Sequence, residues 1–148
     1  MPRVKHTEVF QIGQPVDVLF PLFSPEGEKS WVPGWDYKNI MGSNELHEDY
    51  IFTTAKHDHA AGDSVWLVKR YQPESHYVEF YKVEAESKVG IITVKCQALS
   101  GTKTSVSVSY EYIALNDSGD DFITSFTFEK YSEFIGEWKR LLEAYFNR

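Results

Sequence analysis

The polar side chains with the most suggestive spacing lie in "KHDHAAGD", Lys56 to Asp63. His57 and His59 are two positions apart and would share one face of a strand, with Asp58 and Asp63 close by. Two imidazoles and a carboxylate are metal-ligand chemistry. A catalytic zinc takes three protein ligands and a structural one takes four, however, and this small-residue stretch reads as a loop of solvated side chains. No metal site is assigned.

A second set alternates along "SVWLVKRY", Ser64 to Tyr71. Strand periodicity puts Trp66, Val68 and Arg70 on one face, and Val65, Leu67, Lys69 and Tyr71 on the other. With Trp66 inward, Arg70 could hold a ligand carboxylate through two parallel hydrogen bonds. In the opposite register Lys69 is inward and Arg70 is solvated, which avoids the cost of burying an unpaired guanidinium. "HYVEFYKV", His76 to Val83, offers the same choice. One face carries Tyr77, Glu79 and Tyr81, and would bury a carboxylate suited to general-base work. The other carries His76, Val78 and Phe80. Tyr110 and Tyr112 share a face with Val106 and Val108, so their rings point inward, with hydroxyls that need a partner or a ligand.

Nucleophile arrangements are missing. No serine stands in a Gly-x-Ser-x-Gly turn, and no phosphate loop or dinucleotide fingerprint is present, so no cofactor is implied. Cys96, the only cysteine, shares a strand face with Ile92 and Val94 and reads as a buried thiol.

Two of the four tryptophans sit in "SPEGEKSWVPGWD", Ser24 to Asp36. Trp31 and Trp35 flank a Pro-Gly turn. Either they complete an ordinary core or they wall a cavity that another molecule fills.

The elements that must position these groups follow from pattern. "VKHTEVFQIG" reads as an opening strand ending at Gly13. Pro15 stands at a first helical position, with Val16, Leu19, Phe20 and Phe23 at helical spacing until Pro21 breaks the run. Ser24-Pro25 starts a second short helix, serine as N-cap and Glu26 and Glu28 near its positive end. Six β-rich runs follow: "WDYKNIM", "YIFTTAK", "SVWLVKRY", "YVEFYKV", "GIITVKCQAL" and "KTSVSVSYEYIAL". Their short turn-like connections make neighbours antiparallel. In the last run Ser105, Ser107, Ser109 and Glu111 form the wet face. After "NDSGDD" a long amphipathic helix carries Tyr131, Phe134, Ile135, Trp138, Leu141, Leu142 and Tyr145 on one side. The expectation is an α+β domain: a seven-stranded antiparallel sheet, wrapped around a long C-terminal helix, with its last strand beside its first.

At 148 residues one domain spanning 1–148 is expected, large enough for a core without staples. A net charge of −7 argues against nucleic acid as a partner, since phosphates call for a basic face. With no signal-like or membrane-length apolar run and a single cysteine, the chain reads as cytoplasmic. Aromatic content of 16% is high enough to consider a hollow interior. Nothing in the pattern sets an oligomeric state.

This order of elements resembles the helix-grip fold of the START and polyketide-cyclase-like superfamily, also called SRPBCC. The residues similar to bacterial members are "WVPGWD", "VWLVKRYQP" and "TSVSVSYEYIAL", together with Trp138 on the final helix. The resemblance implies a site between sheet and helix for a small hydrophobic or amphipathic molecule. Its lining would come from Trp31, Trp35, Trp66, Arg70, Phe80, Tyr110, Tyr112, Phe134 and Trp138. It also leaves open an acid/base enzyme of the cyclase or dehydratase type, and an interaction module like the heat-shock ATPase activators. A fold hosts many functions.

Overall fold

In the computed structural model, residues 2–56 and 62–148 are described. His57, Asp58 and His59 lie outside them, and with them the candidate metal pair. Strand β1 (Arg3–Ile12) is followed by α1 (Val16–Leu19), a 3₁₀ turn (Phe20–Leu22) and α2 (Pro25–Glu28). Strands β2 (Ile51–Thr54), β3 (Ser64–Gln72), β4 (Tyr77–Glu84), β5 (Lys88–Ser100) and β6 (Lys103–Ala114) then lead to α3 (Asp117–Ser125) and α4 (Phe128–Phe146).

The sheet has the order β1-β6-β5-β4-β3-β2, every neighbour antiparallel. The last strand pairs with the first as expected, Phe10 opposite Val106. Among the described residues six strands form rather than seven. "WDYKNIM" contributes only one isolated bridge, Lys38 to Thr53. Side-chain acceptors there capture backbone donors that a strand would need: Asp36 Oδ1 accepts from Tyr37 N–H at 2.9 Å, and Asn39 Oδ1 from Gly42 N–H at 2.9 Å. Gly42 takes a positive φ of 76°, closing the turn.

The short helices cap as their residues dictate. Ser24 Oγ accepts from Gly27 N–H at 2.9 Å, with Pro25 next in line. Gly27 is required there, because a Cβ would lie 2.3 Å from the Pro21 carbonyl oxygen. The C-terminal region is two helices rather than one. Asn116 caps α3 through Gly119 N–H, and Thr127 caps α4 through Lys130 N–H. Phe126, between them, is buried against Tyr112 and Tyr131. Helix α4 buries Tyr131, Ile135, Trp138 and Leu142, one stripe at helical spacing, and α3 packs on β6. Val106, Val108, Tyr110 and Tyr112 face α4, as their alternation predicts. Cys96 is buried beside them, and burial raises its thiol to about 12. No helix among the described residues is long and apolar enough to cross a membrane.

Candidate functional site

A β-bulge decides which side chains of β3 face inward. Val68 pairs with Phe80, and Arg70 pairs with Glu79, leaving Lys69 as the extra residue. Trp66 and Val68 therefore point in, both Lys69 and Arg70 point out, and Tyr71 turns back toward Phe20. Neither simple register holds along the whole strand. Arg70 leaves the candidate group: it lies on the outer face, 3.6 Å from Glu79. An ion pair in solvent costs far less than a guanidinium in an aromatic core.

On β4 the inward set is Val78, Phe80, Lys82 and Glu84, while Tyr77, Glu79 and Tyr81 are outside. Glu79 accepts from the Tyr77 hydroxyl, and burial together with Glu79 holds that phenol above its ordinary range. His76 sits at the end of a 3₁₀ turn with φ 56°, and its Nε2 lies 2.8 Å from Asp17 Oδ1. It joins no interior site.

Between the sheet, α2 and α4 lies an enclosed space lined by Trp66, Phe80, Tyr110 and Trp138. Phe23, Phe52, Ile92 and Val94 complete its apolar wall, and Glu28 contributes a carboxylate. Four of the nine sequence candidates thus converge. Trp31, Trp35, Tyr112 and Phe134 stand one ring behind. Trp31 is edge-on to Trp138 at 5.5 Å, with its indole N–H donated to the Leu22 carbonyl. Trp35 is edge-on to Trp66 and donates to the Pro25 carbonyl. Phe134 meets Tyr110 and Trp138 edge-on, while Tyr112 packs against Phe122 and Phe126.

The enclosed space measures about 20 Å³, room for little more than one water. Phe23 also lines a groove of about 350 Å³ formed by Phe20, Pro21, Ser24, Leu46 and Tyr71 among others. Its ring stacks on Trp138 at 6.0 Å.

Beyond Trp66 the inner face changes character. Lys82 Nζ lies 5.2 Å over the Trp66 ring and 3.9 Å from Glu84 Oε1. Lys88 Nζ lies 2.6 Å from Glu84 Oε2 and 4.0 Å over the Phe122 ring. Ser64 Oγ donates to Glu84 at 3.5 Å, and Thr54 Oγ1 accepts the Trp66 indole N–H at 3.0 Å. Three ionisable side chains are thus almost wholly buried on the inner face of the sheet. Parity along β4 carried this signal: once Phe80 is inward, Lys82 and Glu84 must follow. Glu28 had no comparable signal, because only the docking of α2 against the sheet turns it inward.

No family model and no characterised protein sequence matches the chain. Solved structures do. Ginseng major latex-like protein 151 from Panax ginseng is 19% identical, with a TM-score of 0.71 over 96% of both chains. Norcoclaurine synthase from Thalictrum flavum, in complex with dopamine and hydroxybenzaldehyde, is 11% identical with a TM-score of 0.66, covering 95% of this chain and 87% of that one. The di-domain ARO/CYC BexL from the BE-7585A biosynthetic pathway is 13% identical with a TM-score of 0.69, covering 100% of this chain and 48% of that one. What the chain shares with all three is the Bet v1-like helix-grip fold: an antiparallel sheet closed by a long C-terminal helix and two short helices.

Proposed function

We propose that the protein binds a small hydrophobic or amphipathic molecule between its sheet and α4. The observation that carries this reading is the position of Phe23. It lines both an aromatic interior with one carboxylate and a groove of about 350 Å³, a volume typical of small-molecule sites. The ligand displaces the Phe23 ring and lays its apolar part against Trp66, Phe80 and Trp138. Glu28 and the Tyr110 hydroxyl supply polar contacts that orient it. Similarity to a synthase with dopamine and hydroxybenzaldehyde bound supports a small-molecule role for this architecture.

The test is the mass of freshly purified protein under native conditions against its denatured mass, followed by titration of the released compound monitored by tryptophan emission. A cargo lost on denaturation that rebinds wild type but not Trp66→Ala supports the reading. No cargo, and no emission change with a panel of apolar probes such as anilinonaphthalene sulfonate, would sink it.

One observation favours a second reading, an acid/base enzyme. Glu28 lines the cavity and Lys82 lies over Trp66, one of its wall rings, which puts a carboxylate on the apolar space and an amine against its wall. Glu28→Gln separates the two: a binder loses affinity for a compound it never alters, whereas an enzyme retains the bound compound but stops converting it.

A further inference from the structure

The two edges of the sheet differ in what occupies their backbone. At β2 the preceding loop does so: Lys38 N–H donates to the Thr53 carbonyl at 2.8 Å, and Thr53 N–H to the Lys38 carbonyl at 3.4 Å. Ile51 N–H donates to Met41 Sδ at 3.2 Å. Strand β1 forms the other edge, and no described strand lies beyond it. It runs ten residues, Arg3–Ile12, in one unbroken register with β6. Neither a proline nor a bulge blunts it, so it is a template for strand addition.

Two contacts show which backbone groups of β1 face outward. The Pro2 carbonyl accepts from Ala114 N–H on the β6 side, whereas Val9 N–H turns to Glu8 Oε1 at 3.2 Å. Alternation then directs the N–H and C=O groups of Lys5, Thr7, Val9 and Gln11 away from β6. All four residues are exposed. Val9 at 55% and Phe128 at 51% are the two most exposed large apolar side chains among the described residues, and both stand at this edge. The Phe128 ring is edge-on to His6 at 5.7 Å. A groove of about 430 Å³ runs beside the strand, lined by Val9 and Gln11 and by Ser132, Gly136 and Lys139 of α4.

We propose that β1 pairs with β1 of a second copy of this chain, antiparallel about Thr7, joining the two sheets across a twofold axis. Main-chain hydrogen bonds supply the attraction, as in other strand additions. The order of side chains selects both the partner and the register. Outward backbone groups limit a long ladder to a twofold centred on Lys5, Thr7 or Val9. A centre at Lys5 sets lysine against lysine. One at Val9 sets Glu8 against Phe10 and shortens the ladder. A centre at Thr7 faces Arg3 with Gln11, Val4 with Phe10, Lys5 with Val9 and His6 with Glu8. It opposes no like charges and uses the strand from Arg3 to Gln11. The Lys5 stems then cover the exposed Val9 side chains, and the Phe128 rings lie near the axis with His6. A foreign extended peptide would satisfy the same backbone groups, but it would leave this self-matching order without a role. An edge pairing of this size is a weak association, favoured at high concentration.

Sedimentation of the full chain in physiological salt, from micromolar to millimolar concentration, should show a monomer–dimer equilibrium. Val9→Glu places a carboxylate opposite Lys5 twice across the axis and should tighten the dimer about fivefold. Val9→Lys sets like charges there and should weaken it by a similar factor. Thr7→Pro removes the central outward N–H, which β6 does not use, and should abolish the dimer. Should the proline variant fail to fold, the two Val9 variants still decide, because that side chain is exposed and its replacement leaves the melting temperature of the monomer unchanged. Amide exchange at Lys5, Thr7, Val9 and Gln11 should slow as the protein is concentrated. The proposal falls if the chain stays monomeric at millimolar concentration or if the two Val9 variants shift the equilibrium alike. It falls equally if the protection gained on concentration maps to another surface.

Discussion

Phe23 and Trp138 are stacked, ring planes 23° apart and centroids 6.0 Å apart, and Phe23, alone among the described residues, lines both the outer groove and the inner cavity. One ring from the helical entry segment is therefore seated on one from α4. Trp31 braces both edge-on, at 5.8 Å from Phe23 and 5.5 Å from Trp138.

Phe23→Ala removes the ring that groove and cavity share. Cavity creation at a buried aromatic costs about 3 kcal/mol or more, so the melting temperature should drop. At the same time anilinonaphthalene sulfonate should bind with increased fluorescence. A destabilised variant that gains no probe binding would mean that Phe23 is core and not a gate.

The ionic cluster at the end of the inner face should behave as a unit. Lys88→Met leaves the buried Glu84 without its 2.6 Å partner, and losses of about 3 kcal/mol are expected from breaking such a pair. The triple change Lys82→Met/Glu84→Leu/Lys88→Met should recover part of this loss, because it leaves no stranded charge in the cluster. Additive losses in urea unfolding would contradict the coupling.

Alkaline pH should weaken the fold. Burial raises Cys96 from 9.0 to about 12 and raises Tyr131 above its ordinary 10.0, with Glu8 adding to the latter. In both cases the folded state holds its proton longer than the unfolded chain. Stability is then full below about pH 9 and is lost as pH rises toward the folded values, about 1.4 kcal/mol for each unit of difference. Cys96→Ala should flatten the decline between pH 9 and 12, measured by urea unfolding at a series of pH values. Tyr131→Phe should cost about 1 kcal/mol at pH 8, through the lost bond to the Val108 carbonyl, and flatten the decline above pH 10.

Gly119→Ala tests how tightly α3 seats on the β4–β5 turn. A Cβ would lie 2.1 Å from the Ser87 carbonyl oxygen, which is backbone and cannot swing aside. Strong destabilisation is expected, on the order of 3 kcal/mol. Gly136→Ala on α4 meets only the end of the Arg140 side chain, at 3.7 Å. That change should be neutral or slightly stabilising, and similar melting temperatures for the two variants would refute the packing.

Arg70→Ala should leave cavity binding unchanged, since its guanidinium is on the far side of the sheet. A large loss of affinity would contradict the bulge at Lys69.

The sequence by itself determined the opening strand with its two short helices, the antiparallel sheet, the inward face of β6 and the buried stripe of α4. Each rests on local periodicity or on a cap such as Ser24-Pro25, which the chain specifies within a few residues. The aromatic cavity was half legible, because Trp66, Phe80, Tyr110 and Trp138 have the residue type and the parity. Only the tertiary structure decided the rest. The bulge that sends Arg70 outward inserts one residue into β3, and its position depends on pairing with β4 rather than on the composition of β3. The "WDYKNIM" run has strand-like residues but lacks a partner along its length, and Asp36 and Asn39 hold its backbone instead. Phe23 and Glu28 became cavity residues through the docking of a four-residue helix, a contact between segments far apart in sequence, about which local pattern carries no information.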